Sequence, residues 1–183
     1  MYFRESRQGN LLGAVALAVA GRLDETLAHG ERGGLSGVAA LVHIRLRPGR
    51  TIEFLARVLA LSHSATVRLV DRLEADGLVE RRSGRDGRSV ALFVTPAGET
   101  AAVEALRRRG EALAEALAPL SASERQRLAI LLAKLLAGLT GDRWSARHIC
   151  RLCDFPACAR PYCPVDQAAH GEGVPVAPLA PAT

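Results

Sequence analysis

The chain's four cysteines are its clearest candidates for chemistry, and they lie close together near the C-terminal end. Their spacing is Cys150-x2-Cys153-x4-Cys158-x4-Cys163. A disulfide framework is typical of small secreted domains, whereas a C-x2-C pair followed by two further thiols can converge on one metal site. The sequence therefore predicts a cysteine-rich metal or cluster segment at residues 141–166, with all four thiols as ligands.

The surroundings of these cysteines favour an iron–sulfur cluster, with zinc as the alternative. Zinc sites of this kind usually bring two C-x2-C knuckles, but only one such pair and no glycine occur between Cys150 and Cys163. Phe155 and Tyr162 could instead form an apolar wrapping that shields a cluster. Free redox-active thiols are a third alternative, and His148 is a spare ligand candidate.

The chain is organised around residues 51–95, whose pattern predicts two short helices followed by a β-ribbon. Thr51 and Ser62 are suited to cap the two helices, because their hydroxyls can accept unpaired backbone N–H groups. Apolar spacing predicts the buried face of the second helix as Thr66, Leu69, Val70 and Leu73. Two extended segments, residues 78–82 and 89–94, then flank an arginine-rich tip.

These residues carry a family resemblance. They are LARVLALSHSATVRLVDRLEADGLVERR from residue 55, Asp86-x-Arg88, and Thr95-Pro96-x-Gly98. The pattern, over roughly residues 11–139, resembles the winged helix-turn-helix of the MarR family of transcriptional regulators. Ala60 stands where such motifs often have glycine, and Gly87 where the family often has arginine. The resemblance implies a mainly α fold with a small β-wing, flanked by long dimerisation helices.

Three regions are expected along the chain. Residues 10–140 are predicted to form the winged and dimerisation domain, and residues 141–166 the cysteine segment. Residues 167–183 are rich in Ala, Pro and Gly and are predicted to be disordered. The apolar run at residues 11–20 is shorter than the ~20 residues that a membrane helix needs, so no membrane association is expected and the predicted location is cytoplasmic.

The outer face of the second helix and the wing tip supply the candidate DNA contacts. These are His63, Ser64, Val67, Arg68, Arg72, Arg85 and Arg88. Arg68 can form two hydrogen bonds with a guanine edge, whereas Arg72 is better suited to a phosphate contact or an ion pair. Arg85 and Arg88 are candidates for insertion into a narrow minor groove.

The charge distribution supports a nucleic-acid partner. Residues 45–94 contain ten arginines and six acidic residues, a net charge of +4 out of the chain's +5. A basic segment that coincides with a helix-turn-helix pattern is typical of DNA-binding proteins. The sequence shows no nucleophile–base set, phosphate loop or carboxylate pair, so an enzyme is not expected.

The flanking helices predict a homodimer. The last long helix carries a stripe consisting of Leu128, Leu131, Leu132, Leu135 and Leu139. Two recognition helices ~34 Å apart would read a palindromic operator in double-stranded DNA.

The favoured hypothesis is therefore a redox- or metal-responsive regulator, more often a repressor, whose cluster state alters dimer geometry. One alternative has a purely structural zinc and a small-molecule effector. A second is a metal-stabilised winged module that binds protein, and salt dependence would separate it from a DNA binder.

Overall fold

The structure is a computed structural model that describes residues 6–28, 34–84, 89–154, 158 and 163–170. Its helices are α1 Arg7–Ala28, α2 Gly34–Leu46, α3 Ile52–Leu59, α4 His63–Ala75, α5 Pro96–Leu117, α6 Ala122–Leu139, α7 Arg143–Ile149 and α8 Pro164–Ala169. Strands β1 Val79–Ser83 and β2 Val90–Val94 form an antiparallel pair between α4 and α5. The predicted fold class, mainly α with a small β-wing, is confirmed. None of the helices in these ranges is long and apolar enough to cross a membrane.

Hydroxyl side chains begin the helices as the sequence predicts. The Thr51 hydroxyl accepts a hydrogen bond from the Phe54 backbone N–H at 3.3 Å, and Ser62 accepts one from Ala65 at 3.2 Å. Both bonds satisfy N–H groups that a helix leaves unpaired at its start. The two caps fix where α3 and α4 begin, and so define the helix-turn-helix.

Ala60 occupies the turn between α3 and α4 with φ 53°, the single non-glycine residue at positive φ in the described ranges. Its backbone N–H bonds the carbonyls of Ala56 and Arg57. This conformation favours glycine because a Cβ atom crowds the following carbonyl, at a cost of about 1 kcal/mol. The departure from the usual glycine therefore falls at the residue that ends α3.

Helix α4 packs into the main core through the face predicted from its spacing. Its buried residues are Thr66, Leu69, Val70 and Leu73. Leu69, Val70 and Leu73 share one hydrophobic cluster with residues of α2, α3, both strands and α5. Burying each leucine contributes about 1.5–3 kcal/mol. This packing holds the opposite face of α4 towards solvent.

The wing is joined to α4 by Arg81 on β1. Its guanidinium bonds Asp71 at 2.6 Å and also pairs with Glu74, both on α4. At the other end of the wing, a Cβ atom at Gly98 would lie 1.9 Å from the Leu78 carbonyl oxygen. Only glycine permits α5 to start this close to β1, which explains the glycine of the Thr-Pro-x-Gly sequence.

The C-terminal part of the chain packs against the winged domain. Helix α7 contacts α3, and α8 contacts both α6 and α7. The prediction of disorder from residue 167 is wrong for Gln167–Ala169, because Pro164 begins a helix there and Val165 and Gln167 are buried. His170 ends this helix, and residues 171–183 of the predicted tail lie outside the described residues.

Candidate DNA interface and cysteine centre

The outer face of α4 carries five of the seven predicted DNA contacts. His63, Ser64, Arg68 and Arg72 are exposed, and Val67 is half-buried. His63 and Ser64 lie in the first turn, where the backbone N–H groups favour a negatively charged partner such as phosphate. Among the described residues, none of the ion pairs involves Arg68 or Arg72. A protruding helix with these side chains has the form of a recognition helix.

The wing places further arginines beside this helix. Arg82 on β1 pairs with Glu80 and stacks over the Phe93 ring at 4.6 Å. The predicted minor-groove residues Arg85 and Arg88 lie outside the described residues, so their contribution stays a prediction. The described strands fix where the wing tip begins and ends.

All four cysteines line one cavity of about 150 Å³. Cys150 ends α7, and the Cys153 backbone N–H donates to the Cys150 carbonyl at 3.0 Å, which makes the C-x2-C pair a tight turn. Leu152, between them, packs on both hydrophobic clusters of the fold. Cys163 lies immediately before α8. The fold thus brings together thiols that are up to thirteen positions apart.

Three of the thiols are linked by hydrogen bonds. The bond that the Cys153 thiol donates lowers the pKa of Cys150, and the same bond raises the pKa of Cys153 to about 11. The bond that Cys158 donates to Cys153 raises the pKa of Cys158. Of these three linked thiols, Cys150 is the one whose pKa is lowered, which favours its conversion to the nucleophilic and metal-binding thiolate.

The walls of the cavity carry more positive than negative charge. Arg47, Arg143 and Arg147 line it together with one carboxylate, Asp166. The charge of Arg109 on α5 favours the thiolate forms, but its effect on Cys153 is smaller than that of the hydrogen bond to Cys150, which raises the pKa of Cys153. Within the described ranges, no three His, Cys, Asp or Glu side chains form a preformed metal cage. The thiols would therefore draw together around a bound ion. Four soft sulfur donors in a cationic pocket fit a negatively charged metal–thiolate group.

His43 on α2 lines the same cavity and was not among the predicted site residues. Its side chain is 6% exposed, and neither ring nitrogen has a hydrogen-bond partner among the described residues. Burial, together with the charges of Arg47 and Arg147, lowers the pKa of His43 to about 4. The ring is therefore neutral near pH 7, with one N–H donor and one lone pair available.

His148, the spare ligand candidate, is engaged elsewhere. Its Nδ1 lies 3.0 Å from the Val58 carbonyl oxygen, and its Nε2 lies 3.3 Å from Arg151 Nη1. A carbonyl accepts only, so Nδ1 carries the proton and Nε2 accepts from the guanidinium. With both nitrogens occupied, His148 connects α7 to the end of α3 and is not available as a ligand.

Aromatic and cationic side chains strengthen the contact between α7 and α3. The Phe54 and Trp144 rings meet edge to face, with centroids 5.8 Å apart. Arg57 stacks over Trp144 at 5.1 Å, and Arg147 lies 5.3 Å from Phe54 and 5.0 Å from Trp144. Contacts of this type each contribute about 0.5–1.5 kcal/mol. We call this set, with the His148–Val58 bond, the α3–α7 contact.

Comparison with known proteins shows which family the winged-helix fold resembles. Residues 38–89 match the sequence model of the MarR family. Apo MarR from E. coli is 27% identical, with a TM-score of 0.62, over 73% of this chain and 99% of that one. A mutant of the same protein in complex with operator DNA is 28% identical, with a TM-score of 0.56, over 70% and 92% of the two chains. The chain therefore contains a winged-helix domain of the MarR family of DNA-binding transcriptional regulators.

Another solved MarR-family structure comes from Mycobacterium tuberculosis and contains p-aminosalicylic acid. It is 25% identical to this chain, with a TM-score of 0.57, over 71% and 98% of the two chains. No curated protein sequence matches the chain. The prediction that the chain is not an enzyme is confirmed by its match to the MarR family of transcriptional regulators.

Proposed function

We propose that this MarR-family regulator is a homodimeric repressor switched by an iron–sulfur cluster or zinc ion held by Cys150, Cys153, Cys158 and Cys163. One observation carries the proposal. The cavity shared by the four thiols lies between α7, which packs on α3 of the DNA reader, and α8, which packs on α6. A group bound there can affect both the reader and the neighbouring long helix.

The DNA reader and the operator-bound relative support binding to a palindromic operator. The exposed side chains of α4 can form hydrogen bonds with base edges in the major groove, and neighbouring arginines can neutralise phosphates. The E. coli relative has been solved with operator DNA. Because affinity gained by neutralising phosphates falls steeply with salt, a steep salt dependence of binding is expected.

Dimerisation is supported by the apolar surface of the long helices. Helix α6 buries none of its residues within one chain. Its exposed leucines are Leu131, Leu132, Leu135 and Leu139, and α1 exposes Leu11, Leu12, Val15 and Leu17. Contiguous apolar surface of this kind marks interaction sites. A second copy of the chain would cover it and set the spacing of two recognition helices.

The thiolate donors and the volume of the cavity bear on which metal group the centre holds. Thiolates suit zinc and iron–sulfur clusters alike. The cavity of about 150 Å³ has room for a cluster as well as for a single ion. When bound, a cluster would supply a charge that changes with oxidation state, whereas zinc would supply a fixed one.

The α3–α7 contact links the cysteine centre to the helix-turn-helix that would bind DNA. Cys150 ends α7, so a shift of this thiol on binding or losing the centre moves the end of that helix. The His148–Val58 bond and the aromatic contacts pass such a shift to α3. The protein would have two conformations, one that binds DNA tightly and one that binds it weakly. The centre can change DNA affinity only by as much as its own binding free energy differs between these two conformations. Loss of DNA binding on oxidation or removal of the centre is therefore expected.

Anaerobic purification of the full chain tests the proposed centre. Brown protein with visible absorption bands that bleach on reduction, together with iron and sulfide, supports the cluster. Colourless protein with one zinc per chain supports the alternative metal. Protein that contains neither metal, and binds neither when each is supplied with the thiols reduced, contradicts the cysteine centre.

A second candidate is a MarR-family regulator with a structural zinc and a small-molecule effector. The observation that favours it is the M. tuberculosis relative with bound p-aminosalicylic acid. The cavity beside α5 is lined by Arg45, Leu46, Val103 and Leu106 among others, and it combines cationic and apolar groups suited to an aromatic acid. Saturable binding of salicylate that weakens operator affinity, with no response to oxidant, would favour this candidate.

A further inference from the structure

The two ring nitrogens of His43 have no hydrogen-bond partner among the described residues. The side chain is 6% exposed on α2, and both of its ring nitrogens are buried without a partner among the described residues. Buried polar groups in native proteins are nearly always hydrogen-bonded, so each exception requires an explanation. The ring lines the cavity of the four cysteines, and a group bound in that cavity would meet it.

The charges around the ring indicate what kind of group this is. Arg47 and Arg147 line the same cavity and act on the imidazole electrostatically. They disfavour a cation and favour a bound group with negative charge. A divalent metal held by four thiolates has that net charge, and metal-bound sulfur accepts hydrogen bonds.

We propose that His43 donates its ring N–H to the centre held by the four cysteines and so fixes that centre against α2. The inference rests on the proposed cysteine centre and assigns it a positioning residue outside the cysteine segment. The neutral ring has one N–H to donate. Groups in this position orient the ligands, and their mutation weakens metal binding about 10–100-fold. The bond would tie the tail to a core helix of the winged domain.

Cobalt(II) titration of the metal-free full chain under anaerobic conditions tests the role, because thiolate-to-cobalt absorption reports binding directly. The variant His43→Leu keeps the volume and removes the N–H, whereas His43→Gln restores an amide N–H. We expect about 10–100-fold weaker cobalt binding for His43→Leu and substantial recovery for His43→Gln. The control Leu46→Ala changes another wall of the cavity without removing a donor, and its affinity should stay close to that of the wild type.

The spectrum separates the possible roles of the ring. Four sulfur ligands remain in His43→Leu, so the cobalt ligand-field bands should keep their positions while the affinity falls. Bands that shift in this variant would make His43 a metal ligand and overturn the hydrogen-bond role. Equal affinity in wild type and His43→Leu would overturn the inference alone. Wild-type protein that binds no cobalt through thiolates would overturn the proposed centre itself.

Discussion

The imidazole of His148 donates from Nδ1 to the backbone carbonyl of Val58 at 3.0 Å, across ninety positions of sequence. The Val58 carbonyl belongs to the last turn of α3, where a helix leaves its carbonyls without internal partners. His148 lies two residues before Cys150, the residue that ends α7. One hydrogen bond therefore joins the last turn of the first reader helix to the helix that leads into Cys150.

Removing this bond should uncouple the cysteine centre from the reader. In His148→Phe the ring remains but the Val58 carbonyl loses its donor, at a cost of about 1–3 kcal/mol. We expect retained metal, a lower free energy of unfolding in urea, and a smaller response of DNA affinity to oxidant. His148→Asn is the matched control, because its amide nitrogen can replace Nδ1. If His148→Phe keeps the full oxidant response, the bond does not transmit the signal.

Arg68 should determine base preference. The side chain is exposed on α4 and takes part in none of the ion pairs within the described residues. Replacing Arg68 by Ala should cost about 1–3 kcal/mol at one base position and relax sequence preference there. Arg72→Ala should weaken binding to all sequences more evenly. Binding to a library of operator variants measures both, and unchanged preference in Arg68→Ala would exclude α4 from base recognition.

Charge on the exposed stripe of α6 should prevent dimerisation. Leu131 and Leu135 are 58% and 44% exposed in the single chain. Changing both to Asp would place charges in an apolar interface without partners. We expect a monomer in sedimentation velocity and a large loss of operator affinity. Lys134→Asp, on the same helix, is the charge control and should remain dimeric. A dimeric double variant would place the interface elsewhere.

The stability of the metal-free protein should fall in mild acid because of His43. Its folded pKa of about 4 lies below the ordinary value of 6.5. Between these pH values the unfolded state binds more protons, so stability is complete above pH 6.5 and is lost as the pH falls towards 4. At pH 5 the loss from this group is about 2 kcal/mol. Urea unfolding at pH 7 and pH 5 should show this loss in wild type but not in His43→Leu. Equal losses would assign the effect to other groups.

The sequence predicts the reader well because its signals are local. Thr51 and Ser62 are followed by helices that they cap, and the buried face of α4 follows from apolar spacing alone. Ala60 was noted only as a departure from the usual glycine, and its left-handed conformation is a finding of the structure. Each of these features depends on a few consecutive residues, and periodicity and capping describe such features directly.

Contacts distant in sequence were not predictable in the same way. His43 lies on a helix whose residues from Gly37 to Ile44 are all buried, so no amphipathic pattern indicates which of them faces the cysteines. The contact of Trp144 with Phe54 joins positions ninety residues apart. Helix α8 was missed because its few residues, which begin with Pro164, resemble the Ala- and Pro-rich sequence that follows.

The response of DNA affinity to oxidant is the most direct test of the account. Cys153 is the appropriate residue to change, because its thiol bonds both Cys150 and Cys158. Operator affinity should be measured for wild type and Cys153→Ser, each before and after hydrogen peroxide, with the exposed neighbour variant Asp154→Ser as control. We predict that peroxide weakens binding by wild type and Asp154→Ser, and that Cys153→Ser has one affinity unaffected by peroxide. An equal response in all three proteins would contradict a regulatory role for the cysteine centre.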